Sequence, residues 1–235
     1  MKIAITIATY QRSDGKTPTY LQKLMDSIFA QTHQDFRIYL IGDKYENQDE
    51  WYSIISRYCG RKLCAVNLNY AKERDKYKNT TTLWSCGGVN AANFGADLAL
   101  SEGFQYINHI DHDDYLAPDH LYWVNKGIEE IKVDWICSKA EYGQDRVLPE
   151  VDKSNWEFLP FEPISGGVIN SSVCYNYVKI PLRYRNMYEE TGMDIPSDAD
   201  LWDRTNKFIK ENKLLSCLIN KVTCYHKEEG FLLYG

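Results

Sequence analysis

Along the first third of the chain, runs that are apolar on both faces alternate with stretches in which apolar residues recur every three or four positions. Residues 2–9 are β-branched and apolar throughout, as a buried parallel strand requires. The polar stretch 9–15 follows, then Thr17 as an expected helix cap with Pro18 in the first turn. Leu21, Leu24, Met25 and Ile28 continue at helical spacing. A second strand is predicted over 36–41, closing on Gly42-Asp43, then a helix marked by Trp51, Ile54, Ile55 and Tyr58, and a third strand over 63–68. This β-α-β-α-β order calls for an α/β fold: a Rossmann-like, mostly parallel sheet with right-handed crossovers. Such sheets bind ligands beyond the carboxyl ends of their strands, so residues 9–12, Asp43 and Asp111 should gather along one edge.

Residues 69–88 read as a long polar loop, and 89–100 as a helix with a face of small residues (Val89, Ala92, Ala96, Ala99). A strand ending near Ile110 follows, then a helix carrying Leu121, Val124, Ile128 and Ile131, and a strand over 133–138. The second half is less regular. Residues 140–165, with Pro149, Pro160 and Pro163, read mostly as loop, a surface suited to meeting a substrate. Gly166-Gly167 precedes an apolar stretch over 168–177, a helix is expected over 198–211, and 214–225 closes as a strand or two before His226. There is no internal repeat and no linker, so 1–235 is read as one domain.

The formal net charge of -6 argues against a protein that coats nucleic acid. Seven cysteines without a repeated spacing fit a reducing, cytoplasmic location. The first residues run straight into a strand rather than a signal peptide, and no run approaches the ~20 apolar residues of a membrane span. Peripheral attachment to the cytoplasmic face of a membrane stays open.

The chemistry concentrates in Asp111-His112-Asp113-Asp114, directly after an apolar run. Asp111 and Asp113 should point the same way on an extended backbone, and two such carboxylates repel each other unless a cation sits between them. Mg²⁺ or Mn²⁺ suits oxygen ligands of this kind. A solvated acidic turn with Asp114 as a cap is the equal alternative from these residues alone. An EF-hand loop fails because Leu116 stands where Gly is needed. His109 and His112 also raise a zinc hydrolase, without the regular spacing that would support one.

Five short motifs, in order, resemble glycosyltransferase family 2, enzymes of the GT-A fold. They are Ile7-Ala8-Thr9-Tyr10-Gln11-Arg12, Asp43 after the second strand, Ala91-Ala92-Asn93-Phe94-Gly95, Ile110-Asp111-His112-Asp113-Asp114, and Asp198-Ala199-Asp200-Leu201-Trp202-Asp203-Arg204. The likeness covers most of residues 2–226. It implies a metal-dependent, inverting transfer from a nucleotide-sugar, a UDP-sugar by preference, to a hydroxyl of a glycan, lipid-linked or protein acceptor. It implies a donor site of Thr9, Tyr10, Arg12, Asp43, Asn93, Asp111 and His112. Mn²⁺ or Mg²⁺ would be held by Asp111, Asp113 and, in Tyr225-His226-Lys227, by His226. Asp198 would be the catalytic base, with Asp200 supporting the helix start or the acceptor. Residues 1–115 would then bind the nucleotide-sugar and 116–235 the acceptor. Two positions depart from the family pattern: Ala92 stands where Arg is usual, and Ser197 where Glu is usual. They motivate an alternative, a non-catalytic nucleotide- or carbohydrate-binding module on the same scaffold. A nucleotidyltransferase would need a Gly-rich phosphate loop after the first strand, which is missing.

Overall fold

The computed structural model describes residues 1–60, 62–143, 146–151 and 154–226. Strands β1 (Ile3–Thr9), β2 (Phe36–Gly42) and β3 (Leu63–Asn67) alternate with helices α1 (Thr17–Phe29) and α2 (Gln48–Ser56), as the apolar rhythm predicts. The three strands pair in parallel, from Ile3 opposite Phe36 to Thr9 opposite Gly42, and from Ile38 opposite Leu63 to Gly42 opposite Asn67.

Residues 69–88 are not the expected loop. They form two short helices, α3 (Lys72–Lys76) and α4 (Thr80–Cys86), ahead of α5 (Val89–Ser101). Neither carries the apolar stripe that announces a helix in sequence. A local cap, with Asn79 Oδ1 accepting the Thr81 N–H at 2.8 Å, and a tertiary ion pair, Lys76 to Glu189 at 2.9 Å, hold them instead. Strand β4 (Tyr106–His109) then adds to β1, again in parallel.

The rest of the chain is β5 (Tyr115–Leu116), α6 (His120–Lys126, continued to Ile131 as wider π turns), β6 (Trp135–Tyr142), β7 (Arg146–Leu148), β8 (Phe158–Pro160), β9 (Val173–Asn176), α7 (Met187–Thr191), α8 (Ser197–Asn212) and β10 (Ser216–His226). The stretch 140–165 thus contains strand as well as loop; its residues 144, 145, 152 and 153, like Lys227, lie outside the described residues. The sheet order is β3-β2-β1-β4-β9-β6-β10-β5. Strand β9 runs against both β4 and β6, while β6 and β10 are parallel. The reversal is already made at β7, which pairs antiparallel with β6, and β8 and β9 keep that direction.

Alternation along the strands divides the core. Ile3, Ile5 and Ile7 of β1 pack with α1, α2 and α6 on one face, and Ala4 packs with α5 and α8 on the other. Helix α5 presses close to the sheet because it presents small residues there. A Cβ on Gly95 would lie 3.1 Å from Ile41 Cγ1 and 3.4 Å from Thr6 Cβ.

Two details shape the site edge. Thr17 is not the α1 cap: its hydroxyl donates to the Tyr10 carbonyl (2.9 Å) and accepts from the Arg12 N–H (3.2 Å), tying down the loop after β1. The acidic turn after β4 is pinned at both ends. The Ile110 N–H bonds the Thr6 carbonyl, and β5 pairs with β10, Tyr115 opposite Tyr225. That pairing brings His226 beside Asp114 from the far end of the chain. Among the described residues no helix is long and apolar enough to cross a membrane.

Candidate active site

A cavity of about 530 Å³ opens at the carboxyl ends of β1, β2 and β4. Thr9, Tyr10, Arg12, Asp43, Asp111, His112, Asp113, Asp198 and His226 all line it. Asn93 does not. Its side-chain amide is taken up by the main chain of Tyr184, donating to the carbonyl (2.9 Å) and accepting from the N–H (3.1 Å).

At one end Asp43 is buried, and its Oδ2 accepts from Arg74 Nε at 3.1 Å. Burial raises its carboxyl above the ordinary range, and the Arg74 charge pulls it partly back. Its other oxygen is buried with no hydrogen-bond partner among the described residues. Such an acceptor next to guanidinium donors suits a ligand edge that itself alternates donor and acceptor. The Arg74 guanidinium also lies over the Tyr10 ring, 3.4 Å from its centroid, and Tyr10 meets the edge of His112 at 5.2 Å. Sequence reasoning missed Arg74, since it sits in a charged run of mixed sign whose helix was not foreseen. The position of Ala92 contributes only a methyl to the wall, and the guanidinium that closes against Gly87, just before the same helix, belongs to Arg74. Arg12 reaches the cavity wall but spends its guanidinium on Asp14 (2.9 and 3.1 Å).

In the middle lie the three carboxylates. Asp111 is exposed to solvent on the cavity floor, with dense protein packed around and beneath it. Burial, then repulsion from Asp114, Asp113 and Asp198, pushes its carboxyl up to about 8. Asp114 is fully enclosed and accepts from Ser171 Oγ and from His226 Nδ1, the latter at 2.8 Å. Its role is therefore not that of a solvated cap. Burial works against a charged His226, but Asp114 and then Asp111 overcome it and hold the imidazole protonated up to about 9. His226 also stacks on Tyr142, with ring centroids 5.0 Å apart.

At the other end Asp198 occupies the first turn of α8, its Oδ1 accepting the Ala199 N–H at 2.8 Å. Burial raises its carboxyl, while that N–H bond and His226 oppose the shift. Asp200 is committed elsewhere, to Arg185 (2.6 Å) and Arg204 (2.8 Å), and supports the start of the helix.

The zinc reading fails on geometry. His109 is buried against Thr6 Oγ1 at 2.5 Å, and burial lowers it to about 3. His120 bridges Thr223 and Asn108 in the interior. Among the described residues no three His, Cys, Asp or Glu side chains converge to hold a metal unaided. A hard cation that takes one or two carboxylates and draws its remaining ligands from substrate phosphates and water still fits, and a cluster with an upshifted Asp111 would gain from one.

A pH dependence follows. Asp111 at about 8 and His226 at about 9 are both raised above their unfolded values. Stability present while the two hold their protons is lost as pH rises through those folded values. The melting temperature of the metal-free protein should fall between about pH 4 and 9, through Asp111 from about 4 to 8 and His226 from about 6.5 to 9, and Mn²⁺ should recover more of it at the alkaline end. A flat profile over that range would contradict the assigned cluster.

Comparison with known proteins places this arrangement. The sequence pattern described as glycosyl transferase family 2 matches residues 4–192. The chain is 33% identical, over 98% of its length and 95% of the relative's, to an uncharacterized glycosyltransferase, R139, of Acanthamoeba polyphaga mimivirus. All of the chain superposes on 63% of the S. aureus TarS 1–349 structure, with a TM-score of 0.67 at 16% identity. A complex of that protein with UDP-GlcNAc gives 0.63 at 13% identity, over 97% of this chain and 59% of that one. The mannosyltransferase PcManGT from Pyrobaculum calidifontis, with GDP-Man and Mn²⁺, gives 0.59 at 12% identity, over 99% of this chain and 59% of that one. At these identities the structural likeness speaks for the fold alone, whereas the family pattern and the mimivirus relative reach further: the chain belongs to glycosyl transferase family 2, the nucleotide-sugar glycosyltransferases.

Proposed function

We propose that the chain transfers a sugar from a UDP-sugar to an acceptor hydroxyl with inversion, assisted by Mn²⁺ or Mg²⁺. The observation that carries this reading is one cavity with a carboxylate pair, Asp111 and Asp113, at the strand ends and a separate raised carboxylate, Asp198, contributed by α8. Attack and departure take opposite faces of the anomeric carbon, so base and leaving group must stand apart. Asp198 takes the acceptor proton. Asp111 and Asp113 would hold the ion, which when bound would supply charge neutralisation at the diphosphate. With Nδ1 bonded to Asp114 and the ring protonated, His226 has its Nε2–H left to donate to the diphosphate; it would bind the ion only on giving up that proton.

Thr9, Tyr10, Asp43 and Arg74 bind the nucleoside. The unpartnered Asp43 oxygen beside the Arg74 donors matches a uracil edge, where an N–H lies between two carbonyls. The structural neighbours include TarS with UDP-GlcNAc and PcManGT with GDP-Man, so the preference for UDP rests on the Asp43 edge. Residues 116–235 supply the acceptor side, and a glycan, lipid-linked sugar or protein hydroxyl is the acceptor class. An acceleration of ~10⁶ needs about 8 kcal/mol. A positioned base supplies roughly 3–5 kcal/mol, and charge stabilisation with alignment of the substrates must supply the remainder.

The test is a thermal-shift screen of UDP-, GDP- and dTDP-sugars with and without Mn²⁺. A UDP-sugar with Mn²⁺ at 100 times its Kd should add about 2.7 kcal/mol. A larger shift with GDP-sugars would overturn the base assignment, and no shift with any donor would overturn the donor site. Ala92 and Ser197 both line the cavity, which keeps one second reading, a binding module without turnover. Tight UDP-sugar binding without hydrolysis or transfer would favour it.

A further inference from the structure

Asn93, expected at the donor, is instead the first member of a hydrogen-bonded series that ends on Asp111. From α5 it clamps the main chain of Tyr184 in both directions. Tyr184, itself buried with its ring against the edge of His109 (5.0 Å), donates its hydroxyl to Asn170 Oδ1 at 2.6 Å. Asn170 lies in the turn of 3₁₀ helix that leads into β9, and its Nδ2 donates to Asp111 Oδ1 at 3.3 Å. Its neighbour Ser171 accepts the Asp111 N–H at 2.9 Å and donates to Asp114.

We propose that Asn93, Tyr184 and Asn170 are positioning residues that aim the Asp111 carboxylate at the divalent ion; this rests on the metal reading above. The argument is about orientation. Three other carboxylates bear on Asp111, and they would turn an ionised side chain away from the cluster. An amide N–H on Oδ1 holds it in place and leaves Oδ2 for the ion. The amide could fail by flipping, which would set Asn170 Oδ1 against the carboxylate. The Tyr184 hydroxyl favours the orientation seen by donating to the carbonyl end; its oxygen can also accept from a flipped amide, so the repulsion between Asn170 Oδ1 and the Asp111 carboxylate is what decides the orientation. Tyr184 in turn cannot drift, because Asn93 holds its backbone. Antiparallel β9 is thus the element that delivers both clamps, Asn170 and Ser171, to the acidic turn.

The experiment is a Mn²⁺ titration of the UDP-loaded protein, followed by calorimetry or by the loss of free-Mn²⁺ paramagnetic signal. Asn170→Ala should weaken Mn²⁺ by about 10-fold. Tyr184→Phe, which keeps the packing, should weaken it by about 5-fold. In both variants metal-free UDP affinity should stay at the wild-type value, while loss of the buried hydrogen bond lowers the melting temperature by roughly a few degrees. Donor hydrolysis should recover at saturating Mn²⁺, a pattern that general loosening of the fold would not produce. Wild-type Mn²⁺ affinity in both variants overturns the positioning role and leaves the metal reading intact. Equal loss of metal-free UDP binding overturns it too, in favour of a structural role. No Mn²⁺ binding by the wild-type protein overturns the metal reading, and this inference with it.

Discussion

Asp198→Asn should lower sugar transfer by about 10²–10⁴-fold with nucleotide affinity essentially unchanged. The substitution is nearly isosteric, and the amide oxygen can still accept the Ala199 N–H that anchors the carboxylate. What it removes is the ability to take a proton. Burial raises the Asp198 carboxyl above an ordinary aspartate, which strengthens it as a base; the nearby imidazolium of His226 limits the shift. Loss should therefore fall on kcat, while the UDP-sugar, gripped at the Asp43 end, binds as before. Parallel loss of nucleotide affinity would move Asp198 to the donor side. An unaffected rate would reduce it to an acid that merely suits the helix N-terminus.

Asp113→Asn should be comparably severe but differently distributed: Mn²⁺-dependent UDP binding should drop by at least ~10-fold and metal-free UDP binding should hold. Of the three acidic residues in the turn, Asp111 is engaged by Asn170 and Asp114 by Ser171 and His226. Asp113 is half-buried on the cavity wall. Removing its charge relieves repulsion on Asp111 but also removes attraction to the His226 imidazolium, so the melting temperature without metal should change little even as activity is lost. Isothermal titration with and without Mn²⁺ separates the two effects. Retention of Mn²⁺ affinity would remove Asp113 from the metal site.

Several of the family's motifs meet in space here with altered duties. Asn93 keeps its place in Ala91-Ala92-Asn93-Phe94-Gly95, and its amide is bonded to the main chain of Tyr184. Arg74, from a segment with no motif, brings the guanidinium that Ala92 lacks. Arg12 is occupied by Asp14. A motif specifies which residue stands at a strand end; its hydrogen-bond partner comes from whatever the rest of the chain brings alongside.

Periodicity was enough for β1, β2, β3 and the helices α1, α2, α5 and α8, because each buries a continuous apolar face whose spacing is written in neighbouring residues. Order along the chain also placed Thr9, Asp43 and Asp111 at one sheet edge, since parallel strands joined by crossovers must end together. Long-range pairing settled what remained. The antiparallel entry of β9 put Asn170 and Ser171 on the acidic turn, 59 and 57 positions from their partners. The β5–β10 pairing set His226 against Asp114 across 112 positions. Short helices α3 and α4, without an apolar stripe, rest on a local Asn79 cap and a distant ion pair to Glu189, and with them came Arg74. Local patterns record which face a segment buries; they carry no record of the polar partner that folding brings from elsewhere in the chain.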